Sequence, residues 1–160
     1  MANSTADFLF VSGHYPVYSP GSHGPTFLLE LQLKPLLEKY GAHYLCGHDH
    51  IQAHMELNEV AYVLAGSFHS CCYEATHKKD VPAGALKYMH AASAQCSLTA
   101  EEEVRAAAAP AHGALIEEVH DTVDSGFAGV HFSDDGFNVK YYDNQLNTRF
   151  TSSTYKPRSH

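Results

Sequence analysis

Phe8-Leu9-Phe10-Val11-Ser12-Gly13-His14 is the stretch whose reading decides how this chain folds. Four apolar residues run without interruption and stop at a Ser-Gly pair, the mark of a short strand buried on both faces. The same signature returns in Tyr44-Leu45-Cys46-Gly47-His48-Asp49-His50 and in Tyr62-Val63-Leu64-Ala65-Gly66-Ser67. After the first run, residues 15–25 hold three prolines and two glycines and read as a loop. Thr26 is a candidate N-cap, and Phe27, Leu28, Leu31, Leu36, Leu37 and Tyr40 follow at helical spacing. Pro35 should break or kink this helix near Lys34, and Gly41 sits where a C-terminal cap belongs. Residues 43–46 and 60–64 then read as second and third strands, with 51–58 as a loop between them. Strand, helix, strand is the pattern of a βαβ-like unit in an α/β fold. Ligands of such sheets gather outside the strand ends, where both Gly-His motifs fall.

Further along, the texture changes. Thr99-Ala100-Glu101-Glu102 is a capping box, and an Ala-rich helix should run from it to Pro110, with 111–123 continuing as a weaker helix. Few large apolar residues occur there, so 91–126 reads as an Ala/Glu-rich helical insertion on the surface. Phe127, Val130 and Phe132 mark a strand, Phe137, Val139 and Tyr141 alternate on the next, and Ser133-Asp134-Asp135-Gly136 joins them as a hairpin. Residues 148–151 add a third strand, and 155–160 form a frayed tail.

With 160 residues and 44% hydrophobic content, the chain can bury the core of one domain. A net charge of −8 argues against a nucleic-acid partner, which requires clustered Lys and Arg. No run reaches the ~18 apolar residues of a membrane span. Met1 to Phe10 lacks the basic region and apolar core of a signal peptide. Asn3-Ser4-Thr5 matches a glycosylation sequon, a pattern short enough to recur by chance. Of the four cysteines, Cys46 reads as a small core hydrophobe. The adjacent Cys71 and Cys72 are poorly placed to bridge each other, and a bridge from either to Cys96 stays open.

His14, His48 and His50 are the candidate metal ligands, because neutral imidazoles at strand ends are common transition-metal donors. Asp49, between two of them, is expected to orient a neighbouring histidine or cap the turn. His43 and His54 read as surface or hydrogen-bonding histidines. A zinc site from His69, Cys71, Cys72 and His77 lacks the usual paired-cysteine spacing.

Four ordered segments carry a resemblance: Gly13-His14-Tyr15-Pro16-Val17-Tyr18-Ser19, His23-Gly24-Pro25-Thr26, Leu36-Leu37-Glu38-Lys39-Tyr40-Gly41 and Tyr44-Leu45-Cys46-Gly47-His48-Asp49-His50. Over about 7–90 and 127–156 the chain resembles the C-terminal half of a purple acid phosphatase, the tartrate-resistant type within the metallophosphoesterases. The resemblance implies half of an αββα sandwich and phosphate monoester hydrolysis at a binuclear site of Fe(III) with Zn, Mn or Fe(II). His14 and His48 would hold the divalent ion, His50 the Fe(III), and His23 would serve as the catalytic residue facing the phosphate. Members are often secreted or lysosomal. The family's other ligands sit in N-terminal Asp-x-His, Gly-Asp and Gly-Asn-His motifs, none of which occurs in this sequence. The chain by itself should then be inactive and should need an N-terminal half or a complementing chain. With one sheet's inner face bare around Phe8, Phe10 and Val63, it should be oligomeric, aggregated or molten. Two alternatives are a non-catalytic half-fold module that pairs with another chain, and a mononuclear zinc hydrolase rebuilt on His14, His48 and His50.

Overall fold

The computed structural model describes residues 1, 3–68, 74–91 and 125–158. Strand β1 (Leu9–Ser12) leads through helices α1 (Phe27–Gln32) and α2 (Lys34–Tyr40) to a parallel strand β2 (Ala42–Cys46). Strands β3 (Gln52–Leu57) and β4 (Val60–Ala65) form a hairpin, with β4 parallel to β2. A 3-10 turn at Lys78–Asp80 precedes β5 (Leu86–His90), which pairs antiparallel with β3. These strands make a mixed sheet in the order β1-β2-β4-β3-β5. Strands β6 (Gly126–Ser133), β7 (Gly136–Asp143) and β8 (Thr148–Thr151) make a second, antiparallel sheet in that order. Among the described residues no helix is long and apolar enough to cross a membrane.

The helical segment breaks at Leu33, two residues before Pro35, and ends at Gly41 with a left-handed φ of 57°, as expected. Its buried face differs from the expected one. Phe27, Leu28 and Leu31 are 73%, 60% and 60% exposed. Leu37, from the expected row, is fully buried, and Leu29 and Leu33 pack partly buried beside it, a single row at spacing i, i+4, i+8. Both rows satisfy helical periodicity, and packing against the sheet core selects between them. Thr26 caps α1 by its extended backbone, without a side-chain hydrogen bond.

Residues 51–58 were expected as a loop and are a strand with its turn. Ala53 and Met55 face the helices, while Gln52 and His54 turn to the other sheet, where they find polar partners. The tight turn at Asn58 and Glu59 has φ of 50° and 64°. That backbone usually recruits Asn-Gly, so Asn-Glu hid the hairpin. Strand β5, with Lys87 and His90 in its five residues, was equally silent in the sequence.

The bare inner face expected around Phe8, Phe10 and Val63 is not bare. The second sheet lies across it. Phe137, Val139 and Tyr141 alternate along β7 and pack with Ala61, Val63 and Tyr155, with Phe8, Phe10 and Leu45 beside them. The Phe137 ring sits 5.2 Å from Phe8 and 5.1 Å from Phe10, and Val63 is only 3% exposed. Tyr88 stacks on Phe150 at 5.0 Å. Burial of this kind contributes about 25 cal/mol per Å². The C-terminal strands supply the apolar layer that covers this face.

Where a frayed tail was expected over 155–160, Tyr155 is buried and bridges Phe137, and Arg158 donates to the carbonyls of Ser4, Ala6 and Tyr40 at 2.9–3.1 Å. Residues 159–160 lie outside the described residues. So do 92–124, which hold nearly all of the expected insertion and Cys96, and 69–73, which hold His69, Cys71 and Cys72. Gly126, assigned to the insertion, opens β6. Cys46 packs with the helix-side core, and its thiol donates to the Val63 carbonyl.

His43 and His54 sit between the sheets and make hydrogen bonds from buried positions. Burial pushes the imidazole of each down to about 4. In the unfolded chain each returns to ~6.5, so the unfolded state binds more protons between these values. Their contribution to stability is complete above pH ~6.5 and is lost as pH falls through 4, by roughly 3 kcal/mol for each group. Urea denaturation should therefore show stability declining steadily from pH 7 to pH 4. His54→Gln should flatten about half of that slope, and a slope unchanged in the variant would refute the assignment.

Candidate active site

Three parallel strands end side by side, and each ends in glycine. Beyond β1 and β2 the ladder continues through Gly13 N–H to the Leu45 carbonyl at 3.0 Å and Gly47 N–H to the His14 carbonyl at 3.1 Å. Tyr44 donates its hydroxyl proton to the Tyr15 carbonyl at 2.7 Å. His14 is thereby pinned against the turn that carries His48. Asp49 N–H bonds back to the Gly47 carbonyl at 3.0 Å, with φ of 70° at His48 between them. This is a strained γ-turn, costing of order 1–3 kcal/mol, and such strain clusters at functional positions. Gly66 makes the turn sterically feasible, because a Cβ there would overlap the Asp49 carbonyl.

Asp49 is fully buried and accepts from three donors. They are the Ser19 hydroxyl, the His23 N–H at 3.1 Å and His23 Nδ1 at 2.5 Å. Ser19 in turn accepts from Gly21 N–H at 3.0 Å, which ties the proline-rich loop to this one carboxylate. Asp49 therefore orients a histidine, one of the two roles read from the sequence, although that histidine is His23, 26 residues away, and not an adjacent one. His77, expected only as a member of a weak zinc set, donates its N–H to the Pro20 carbonyl and bonds Asp80 at 2.7 Å, bracing the same loop.

The structure brings His14, His48 and His23 together. His48 Nδ1 is 3.2 Å from His14 Nε2, and the His23 ring centroid is 4.5 Å from that of His48. Tyr15 lies 4.5 Å from the same ring. His50 follows Asp49 on the turn and acts on His48 through its charge. Burial first, then His23, His14 and His50, lower the His48 pKa against the opposing pull of Asp49. A neutral imidazole is the form that donates to a metal.

Two nitrogens each ~2.1 Å from one ion and subtending roughly 100° lie about 3.2 Å apart, so the His14–His48 pair fits adjacent positions on one divalent metal. Among the described residues, no group of three or more His, Cys, Asp or Glu is arranged to hold a metal ion. The carboxylate at hand, Asp49, is spent on Ser19 and His23. The sequence motifs singled out the histidines but not Ser19, Tyr44 or Gly66. Ser19 and Gly66 gain their roles through the buried Asp49, and Tyr44 through the Tyr15 carbonyl.

An α/β sheet with imidazoles gathered beyond its parallel strand ends places the chain among folds that bind ligands there. Comparison with known proteins sharpens this. The chain is 44% identical over 94 residues to tartrate-resistant acid phosphatase type 5 of Oryctolagus cuniculus, covering 58% of this chain and 29% of that protein. It is 44% identical over 90 residues to the Homo sapiens protein of the same name, covering 55% and 28%. The resemblance to the tartrate-resistant purple acid phosphatases thus stands, and the chain spans less than a third of the length of these relatives. No family model matches. Among solved structures, GAP50, the anchor in the inner membrane complex of Plasmodium, aligns with 98% of this chain and 39% of its own at TM-score 0.64 and 20% identity. That likeness concerns the fold alone.

Asp49→Ala should leave the Ser19 and His23 donors without an acceptor and cost about 1–3 kcal/mol. It should also free the 19–24 loop, readable as faster amide exchange there. Amide exchange of the wild-type pattern in this variant would show that Asp49 does not hold the loop.

Proposed function

We propose that this chain supplies the C-terminal histidines of an acid phosphatase-type site that hydrolyses phosphate monoesters. The convergence of His14, His48 and His23 on a turn anchored by Asp49 carries the reading, supported by the 44% identity to acid phosphatases. In this proposal the fold is the C-terminal part of a metallophosphoesterase αββα sandwich. His14 and His48 hold a divalent Zn, Mn or Fe(II), and His50 holds an Fe(III). Bound, the two cations supply charge neutralisation for phosphate oxygens and a more acidic water.

The chain's own residues do the remaining work. Asp49 accepts from His23 Nδ1, which leaves Nε2 of that ring to face the substrate. His23 in its protonated form donates from Nε2 to the departing alkoxide, and Asp49 fixes its orientation as the buried carboxylate does in a triad. The missing donors are carboxylates and an amide, to be brought by an N-terminal half or a complementing chain.

A second reading has one observation in its favour. The C-terminal sheet closes the core around Phe137, so the chain has the packing of an independent module that could pair with a partner without catalysis. Zinc titration followed by p-nitrophenyl phosphate turnover at pH 5 separates the readings. The chain alone, with iron and zinc added, should bind metal weakly through His14 and His48 and show no turnover. Co-expression with a half bearing the Asp-x-His, Gly-Asp and Gly-Asn-His motifs should restore turnover, and His48→Ala should abolish it. Failure to restore would favour the non-catalytic module. Robust turnover by the chain alone, lost in His48→Ala, would favour the mononuclear zinc hydrolase.

A further inference from the structure

Helix α1 is apolar on two opposite sides, with Glu30 and Gln32 between them. At roughly 100° per residue, Leu29 and Leu33 fall on the side that packs against the sheet core, and Phe27, Leu28 and Leu31 fall on the other. That second side is open, its three side chains 60–73% exposed. None of the six residues of α1 is buried, although so short a helix is held by packing rather than by propensity. A helix at a protein surface shows water a polar face, and one that is apolar on both sides is covered on both.

Size and charge together select what covers it. Leu31 stands four residues from Phe27 and three from Leu28, so the three side chains form one continuous patch. Its exposed area is about 350 Å², on a scale of ~200 Å² for a whole phenylalanine side chain. One side of a standard protein–protein interface covers ~800 Å², of which roughly 450 Å² is apolar. The patch alone supplies most of that area. Residues 26–40 carry Glu30, Lys34, Glu38 and Lys39, so this segment is neutral in a chain of net charge −8. Lys34 and Glu38 pair at 3.0 Å, and Lys39 rests over the Tyr40 ring. A neutral face has no charge with which to choose an acidic or a basic partner. It is the face on which two copies of an acidic chain approach without the repulsion of their remaining surfaces.

We propose that α1 is the contact of a symmetric homodimer, in which Phe27, Leu28 and Leu31 of one copy pack against the same residues of a second. Such a contact is isologous, and it closes at two copies. Phe27, the largest and most exposed of the three, is its aromatic anchor. The inference does not depend on phosphate hydrolysis. Because α1 begins four residues after His23, the contact also fastens the segment that leads out of the candidate site.

The test is sedimentation equilibrium of the 160-residue chain at pH 7, from ~1 to ~100 μM, the concentrations at which micromolar association is read. The mass should rise with concentration from 17.5 kDa to that of two copies and stop there. Leu28→Glu with Leu31→Glu should weaken the dimer at least ~100-fold and leave a monomer. Both side chains are exposed, so this variant should still unfold cooperatively in urea, which separates a lost contact from a lost fold. Leu146→Glu, as exposed but on the turn after β7, should leave the dimer intact. A wild-type monomer at ~100 μM would overturn the proposal and leave the face to a different protein. A dimer that survives the Leu28/Leu31 variant and dissociates in Phe132→Glu would overturn it by moving the contact to β6, where Phe132 is 61% exposed.

Discussion

Packing of β7 across the five-stranded sheet is the contact on which the rest of the molecule depends. Strand β4 is buried on both faces: Val60, Tyr62 and Leu64 meet the helix-side core, while Ala61 and Val63 meet Phe137, Val139 and Tyr141. A central strand of this kind tolerates no solvent on either side. The same layer sets the positions of β2 and β1, and hence of the glycines that end them. Several polar groups trapped in it are satisfied within it. His54 meets the hydroxyls of Tyr141 and Tyr155, Tyr141 donates to the Ala53 carbonyl, and Tyr155 to Glu56. Such a network fixes register as well as energy, since a slip of one residue would strand every member.

At the strand ends the controlling group is Asp49. A buried carboxylate is destabilising unless its lone pairs are met, and here three donors from one loop meet them. The loop 19–24 has no regular structure to hold it, so its conformation rests on that carboxylate and on the His77 N–H that holds the Pro20 carbonyl. The strained φ at His48 and the contact between Gly66 and the Asp49 carbonyl belong to the same arrangement. Preorganisation of His23 and His48 is thus structural and precedes any ligand.

The two ends of the β2 strand differ in kind. Beyond its carboxyl end lie imidazoles that face one another, and near its start lies an imidazole held by the Ala61 backbone N–H between the two sheets. Five residues of one strand separate two surroundings because alternate side chains point to opposite faces and opposite ends of a strand open on different neighbours.

What the sequence determined by itself were the features set by local physics. The apolar runs ending at Gly13 and Gly47, the break forced by Pro35, the left-handed cap at Gly41 and the turn before Gly136 follow from restrictions on φ and from periodicity over a few residues. His14 and His48 of the candidate site were legible because glycine-histidine pairs at strand ends are local patterns. What only the tertiary structure decided were choices between locally equal options. Leu29 and Leu33 pack beside the expected Leu37 in place of Phe27, Leu28 and Leu31, β3 forms in place of a loop, and Tyr155 and Arg158 are fastened in place of fraying. Each depends on a partner distant in the chain: the sheet for the leucines, Tyr142 and Tyr141 for Gln52 and His54, the N-terminal carbonyls for Arg158. No window of sequence contains both members of such a pair, and the energy that selects between the options appears only when they meet.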